Sequence, residues 1–460
     1  MSLSECRVPQ ELIEAIIRNL DGDQRSLARC ARVSVRFLTL SRGLLYKRII
    51  LEPPIYRGKP NPRSVRHFHS VISSYPSLVN CVEDLTISHK GPLFTWPDMK
   101  AMKWLSDPSD TSLLEVMTQL KNIRKLKIAG LLSLGRIYDS PVDWMNLSEH
   151  SLLALGHARS QFQHLTVLHL HCVSNFDVEF FDFSRNLQEL VLDAVTFAPW
   201  RLDDDYASDR EPRPDRSQLK KLCIHTCNGE SSLHFVRYLT SHRVGLNISN
   251  LEFLHYTGDR FRFTHRGRLY MILRDCRSSL IEFEFSPSLE KCLFEYPELS
   301  DFDPPATFSR FTNLRILSLS LHWEICNEGS LDSLEWFESR LTRISYFNRL
   351  EVFRLRFHLE WIDDNHDSDS EVPDEEEALD WGIEMMSWWK WEDIDKVLSN
   401  TAAFPELRRV EIYFIPDDGN KRPLPIEELY EEIHANLPEL SQRTLIYVYQ
   451  GCLRSMGCIR

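Results

Sequence analysis

The sequence predicts an α/β chain: a small all-helical head followed by an irregular, repeating array of short parallel strands joined by helices. Three observations carry that expectation. Apolar residues at Leu12, Ile13, Ile16, Ile17 and Leu20 fall on one face of a helix near the N-terminus. The pattern apolar-x-x-apolar-x-apolar recurs ten times between Val82 and Ile412. Helix-like segments lie between many of these recurrences, which implies parallel strands joined by right-handed crossovers.

The head occupies residues 1–50. Pro9 sits at the start of the first helix, where the missing N–H would be unpaired in any case. Asp21-Gly22-Asp23 ends that helix. A second is expected from about Ser26, with Leu27, Cys30, Val33 and Phe37 at helical spacing. Leu44, Leu45 and Tyr46 mark a third short turn, and Ile49-Ile50-Leu51 reads as a strand. Residues 51–64 carry four prolines around Gly58-Lys59 and read as a linker. The repeat array then runs over 65–460.

Charge is unevenly spread. The net charge is −13, but eleven acids and no Lys or Arg lie between Glu360 and Asp380. The first seventy residues hold thirteen Lys and Arg against six Asp and Glu. A basic head and one acidic insertion argue against bulk nucleic-acid binding and favour an acidic partner for the head. No run of apolar residues is long enough to span a membrane, and the N-terminus has no apolar signal segment. The eleven cysteines are therefore expected to be reduced thiols of a cytoplasmic or nuclear protein.

The head residues Val8-Pro9-x-Glu11-Leu12-Ile13-x-x-Ile16-Ile17-x-x-Leu20, then Leu27-x-x-Cys30-x-x-Val33-Ser34-x-x-Phe37, then Ser41-Arg42-x-Leu44-Leu45-Tyr46, resemble an F-box, in particular those of the large fungal F-box families. The resemblance covers about a tenth of the chain. It departs from the family in opening with Val8-Pro9 where Leu-Pro is usual, and in having Tyr46 near the place of a late Trp. It implies a compact helical motif whose apolar face binds the Skp-type adaptor, and through it the cullin, of a ubiquitin ligase. The adaptor-binding residues would be Val8, Pro9, Leu12, Ile13, Ile16, Leu20, Leu27, Cys30, Val33 and Phe37.

The ten recurrences are Val82-Leu85-Ile87, Ile123-Leu126-Ile128, Leu165-Leu168-Leu170, Leu187-Leu190-Leu192, Leu219-Leu222-Ile224, Leu251-Leu254-Tyr256, Leu280-Phe283-Phe285, Leu314-Leu317-Leu319, Leu350-Phe353-Leu355 and Leu407-Val410-Ile412. Their start-to-start spacings run from 22 to 57 residues, mostly longer than the ~20–29 of a typical leucine-rich repeat. Helices are expected at Ser64 to Tyr75, Thr111 to Leu120, Glu149 to Phe162, Arg266 to Cys276, Ser330 to Phe347 and Glu384 to Leu398. The array resembles a degenerate leucine-rich-repeat solenoid with a parallel sheet lining its concave face; an ordinary open α/β sheet is the alternative. No Gly-rich phosphate loop follows any of these strands.

Side chains alternate across a strand, so residues between the apolar positions must face the other side of the sheet. One row then reads Ala129, His171, Asp193, His225, Thr257, Ser286, Ser320, Arg356, Tyr413. The row two residues earlier reads Lys127, His169, Val191, Cys223, His255, Glu284, Ser318, Arg354, Glu411. From these rows His169, His171, Asp193, His225, His255, Arg354 and Arg356 are the candidate residues for holding a target protein, alongside the plainer reading of solvated side chains bonded sideways.

Enzymatic motifs are missing: there is no phosphate loop, no H-E-x-x-H, no G-x-S-x-G and no paired C-x-x-C. Cys223-x-His225-x-Cys227 offers three ligands on one strand face, but the ~6.6 Å repeat along a strand spaces them poorly for one zinc ion. No catalytic residue, cofactor or metal is therefore expected. The acidic stretch 363–377, with Ser368 and Ser370 as candidate phosphorylation sites, reads as a solvated, disordered insertion. Trp381, Trp388, Trp389 and Trp391 follow it and read as the packing face of a helix. The expected function is that of a non-enzymatic substrate receptor in a Skp-cullin-F-box ligase, its target unknown. A repeat scaffold outside any ligase is the second reading, and an enzyme on an α/β sheet the third.

Overall fold

The computed structural model describes residues 9–56, 59–88, 101–130, 142–161, 164–183, 185–199, 217–225, 231–240, 246–258, 264–287, 311–324, 349–360, 391–416 and 426–450. The chain is mixed α/β and divides into two compact units, Met1–Ser217 with Arg243–Leu246, and Gln218–His242 with Asn247–Arg460. Val8, Gly58, Cys227, the helix expected at 330–347, the acidic stretch 363–377 and Trp381, Trp388 and Trp389 lie outside the described residues.

The first unit begins with the head helices α1 (Gln10–Asn19), α2 (Gln24–Cys30) and α3 (Val35–Leu45). The run from Leu27 to Phe37 is not one helix, as its spacing suggested. Asp23 caps α2 by accepting from the Ser26 N–H at 3.0 Å, and Ser34 starts α3 afresh by accepting from the Phe37 N–H at 3.4 Å. Val33 therefore falls in the turn between them, and Leu44 and Leu45 end α3 in place of a separate turn. Two short polar side chains in the right places outweigh the apolar period, since each satisfies an otherwise unpaired helix N–H.

Strand β1 (Arg48–Leu51) leaves the head and pairs in parallel with β2 (Asp84–Ser88), Arg48 opposite Asp84. The segment expected to be a linker is a folded connector. Asn61 is buried, donates to the Pro53 carbonyl at 2.9 Å and to Glu52 at 3.2 Å, and Arg63 pairs with Glu52 at 3.1 Å. Beyond β2 the parallel sheet continues through β3 (Lys125–Ala129), β4 (Val167–Phe176) and β5 (Glu189–Phe197). Helices α4 (Val65–Ser74), α5 (Ser112–Gln119) and α6 (Glu149–Gln161) lie between the strands in sequence, α4 packing on α5 and α5 on α6.

The second unit holds the parallel strands β6 (Lys221–His225), β7 (Phe253–Gly258), β8 (Glu282–Pro287), β9 (Ile316–Glu324), β10 (Val352–Glu360), β11 (Arg409–Pro416) and β12 (Leu445–Gln450), each paired with the next. Helices α7 (Ser231–Thr240) and α8 (Thr264–Cys276) pack together. Toward the C-terminus α9 (Trp391–Leu398), α10 (Ile426–Asn436) and α11 (Pro438–Arg443) follow, with Trp391 buried at the start of α9.

All ten recurrences fall on strands, and their leading residues, Val82 to Leu407, are buried just before each strand begins. Within each unit the core positions stand in register. Leu85, Leu126, Leu168 and Leu190 form one row in the first. Leu222, Leu254, Phe283, Leu317, Phe353 and Val410 form another in the second, extended by Ile446 of β12. Burying one such side chain is worth ~1.5–3 kcal/mol, so a one-residue slip, which would turn a whole row outward, is strongly resisted.

Candidate functional site

Two places draw side chains into arrangements that packing alone does not require: the head surface, and the face of the sheets opposite the apolar rows.

In α1 each residue turns roughly 100° from the last, so two adjacent i, i+4 pairs occupy neighbouring stripes. Ile13 and Ile17 point inward and form the head core with Leu27, lined by Leu20, Cys30, Phe37, Leu40, Leu44 and Leu45. Leu12 and Ile16 point out and are 55% and 49% exposed. Val33 and Val35, in and after the α2–α3 turn, are 70% and 78% exposed. Of the residues expected to bind the adaptor, Pro9, Leu12, Ile16 and Val33 are on the surface, while Leu20, Cys30 and Phe37 are half-buried. Ile13 and Leu27 are spent on the head's own core and are not available to a partner. Arg25, Arg29, Arg32 and Arg36 of the same head are also exposed, which suits an acidic partner. Asp23 is held below the usual carboxylate pKa by its hydrogen bonds from Ser26.

On the first unit's sheet, Ala129, His171 and Asp193 stand side by side, as do Lys127, His169 and Val191. His171 Nδ1 lies 2.7 Å from Asp193 Oδ2, and His169 Nε2 lies 3.3 Å from Glu189 Oε1. The residues immediately after this row leave the extended conformation together. Cys172 and Ala194 have φ of 51° and 50°, a left-handed geometry that disfavours side chains by about 1–3 kcal/mol. Gly130 sits beside Cys172, where a Cβ would come within 2.2 Å of the Cys172 carbonyl oxygen. The strained backbone thus adjoins the half-exposed His171–Asp193 pair. No sequence period announces it.

The second unit treats its polar row differently. Arg354 Nε donates to Glu411 Oε2 at 2.6 Å and its Nη1 to Glu282 Oε1 at 3.0 Å. Arg356 pairs with Glu284 and lies over the Tyr413 ring, 5.8 Å from its centroid. Glu411 also accepts from Arg409 at 2.9 Å and from the Tyr413 hydroxyl at 3.2 Å, and its side chain is only 6% exposed. Both arginines lean back across β9 to carboxylates two strands away, and this is possible because β9 presents buried Ser318 and Ser320 between them. Burial opposes the Arg354 charge, but the hydrogen bond and charge of Glu411, with Glu282, outweigh it and hold the guanidinium above its usual pKa. Burial, then the Glu411 charge, raises the Tyr413 phenol. Arg354 and Arg356, expected to read a target in solvent, are instead joined to carboxylates of their own chain.

At the start of the same sheet, Cys223, His225 and His255 come together, their ligand atoms all within 4.8 Å of one another. The strand repeat that argued against a metal does not decide the matter, because the neighbouring strand β7 supplies His255 opposite Cys223. Thr257 Oγ1 lies 3.0 Å from His225 Nδ1 and 3.1 Å from His255 Nε2. The sequence rows already set His255 beside Cys223, but did not join it to Cys223 and His225 as a third ligand.

No protein-family model matches the chain, and no curated protein matches it.

Proposed function

We propose that the protein is a substrate receptor of a Skp-cullin-F-box type ubiquitin ligase, its head gripping the Skp-type adaptor and its sheet-bearing body holding a target protein. The observation that carries this reading is the exposure of Leu12, Ile16, Val33 and Val35 on a head whose own core needs only Ile13, Ile17 and Leu27 with their lining. Apolar side chains left in water on so small a unit are worth ~1.5–3 kcal/mol each to whatever covers them. The exposed arginines of the head add attraction for an acidic partner and speed encounter. The receptor performs no chemistry itself.

The body would hold its target near the part-exposed His171 and Asp193 of the first unit, with the more buried His169 beside them. Arg354 and Arg356 would serve the second unit's integrity, so replacing them would cost folding before it cost recognition. Among the described residues no helix is long and apolar enough to cross a membrane.

The test is co-expression of the full chain with a Skp-type adaptor and cullin. Recovery of all three in one complex supports the ligase reading. A monodisperse chain that leaves the adaptor behind favours the second reading, a repeat scaffold outside any ligase.

A further inference from the structure

The geometry points to a site for a zinc-class divalent ion at Cys223, His225 and His255, on the second unit's sheet face opposite its apolar row. Cys223 and His225 alternate along β6, and His255 stands directly opposite Cys223 on β7. Neighbours two apart on one strand are ~6.6 Å away, but strands in a sheet are only ~4.8 Å apart, so the cross-strand histidine closes the triangle. All three donor atoms fall within 4.8 Å of one another. A tetrahedral zinc with ~2.3 Å bonds to sulfur and ~2.0–2.1 Å bonds to nitrogen needs its donors roughly 3.3–3.6 Å apart. Small rotations of side chains already converging would bring them there.

The donor set selects the ion. One thiolate and two imidazoles suit zinc and its neighbours, and exclude calcium and magnesium, which want oxygen. The surroundings fit as well. Metal-bound imidazoles are oriented by hydrogen bonds from their other nitrogen, and Thr257 Oγ1 lies within 3.1 Å of a nitrogen of each ring. Glu284, itself paired with Arg356, lies 3.6 Å from His255 Nε2, where it can accept from that ring. The two rings are close and nearly perpendicular, 4.3 Å between centroids at 85°. Cys223 is fully buried, which keeps bulk water from the sulfur. Three protein donors leave a fourth position for water or a further ligand, and the ion would tie β6 to β7.

The test uses the full chain, stripped with a chelator and titrated with cobalt(II) as a coloured stand-in for zinc. The expected result is one equivalent bound, with a thiolate-to-cobalt band in the near ultraviolet and the strong visible absorption of a tetrahedral site, both removed by added zinc. Cys223→Ser should abolish the near-ultraviolet band, and Thr257→Val should weaken binding by ~10–100-fold while leaving the band's shape. Zinc-edge X-ray absorption of the wild-type protein provides a reading that does not depend on any variant folding. One sulfur and two imidazoles around the ion would support the site. A folded wild-type chain that gives no thiolate band, a band that persists in Cys223→Ser, or an all-oxygen or multi-sulfur shell would overturn it.

Discussion

In the head, Leu12, Ile16, Val33 and Val35 stand in water although a unit of three short helices has little hydrocarbon to spare. In the second unit, Glu284 and Glu411 leave water, and Arg354 and Arg356 nearly do, although charged groups strongly prefer it. Each region does what its composition resists, and the two differ in whether the compensation is inside the chain. The charges of the second unit find their partners within it, Arg354 with Glu282 and Glu411, Arg356 with Glu284. The exposed hydrocarbon of the head finds none among the described residues. A network closed within the chain balances its own buried charge, and an apolar surface left exposed is available to a partner.

The largest effect that would break this contrast is loss of the network's centre. Arg354→Met should destabilise the protein by ~3–5 kcal/mol in urea unfolding, because it leaves Glu411 and Glu282 without their main cation. A loss below ~1 kcal/mol would mean that the carboxylates reach water once freed. Next comes Ser318→Leu. A bulky side chain on β9 would stand in the path of both arginines, and ~1–3 kcal/mol should be lost by overpacking. The first unit's pair sharpens the contrast from the other side. His171 and Asp193 are partly solvated, so Asp193→Asn should cost at most ~1 kcal/mol, and a cost like that of Arg354→Met would place this pair with the buried network.

Thiol reactivity gives the smallest and most local comparison. Cys276, the buried last residue of α8, has its thiol pushed up to about 12 by burial, so almost no thiolate is present at pH 8. Cys30 lines the head core and is only half-buried. Mass spectrometry after brief alkylation of the native protein should find Cys30 modified well before Cys276. Equal labelling would show that the second unit opens as readily as the head.

Much of the fold was legible because its signals are local and repeated. Ten short apolar motifs located ten strands, and alternation alone placed His171 beside Asp193 and Ser318 beside Arg354. The head was legible in its helical period but not in its breaks, which depend on the single capping side chains Asp23 and Ser34. The same period could not separate Ile13 from Leu12, since inward and outward stripes one residue apart are both apolar; only packing with Leu27 decides. Burial of the arginine network was not legible at all. Arg and Glu at alternating strand positions read as a solvent face, and nothing local records that Ser318 and Ser320 open a path between carboxylates and guanidiniums separated by many residues. The left-handed Cys172 and Ala194 were likewise silent, because neither residue type advertises that conformation.

The central claim is that the head's outward stripe serves a partner and its inward stripe serves the fold. The most direct measurement pairs adaptor binding and thermal unfolding on the same two variants, Leu12→Asp and Ile13→Asp. Leu12→Asp should abolish capture of the Skp-type adaptor while changing stability by no more than ~0.5 kcal/mol, whereas Ile13→Asp should unfold the head. Adaptor capture that survives Leu12→Asp, or a melting temperature that falls with Leu12→Asp as far as with Ile13→Asp, would contradict the account.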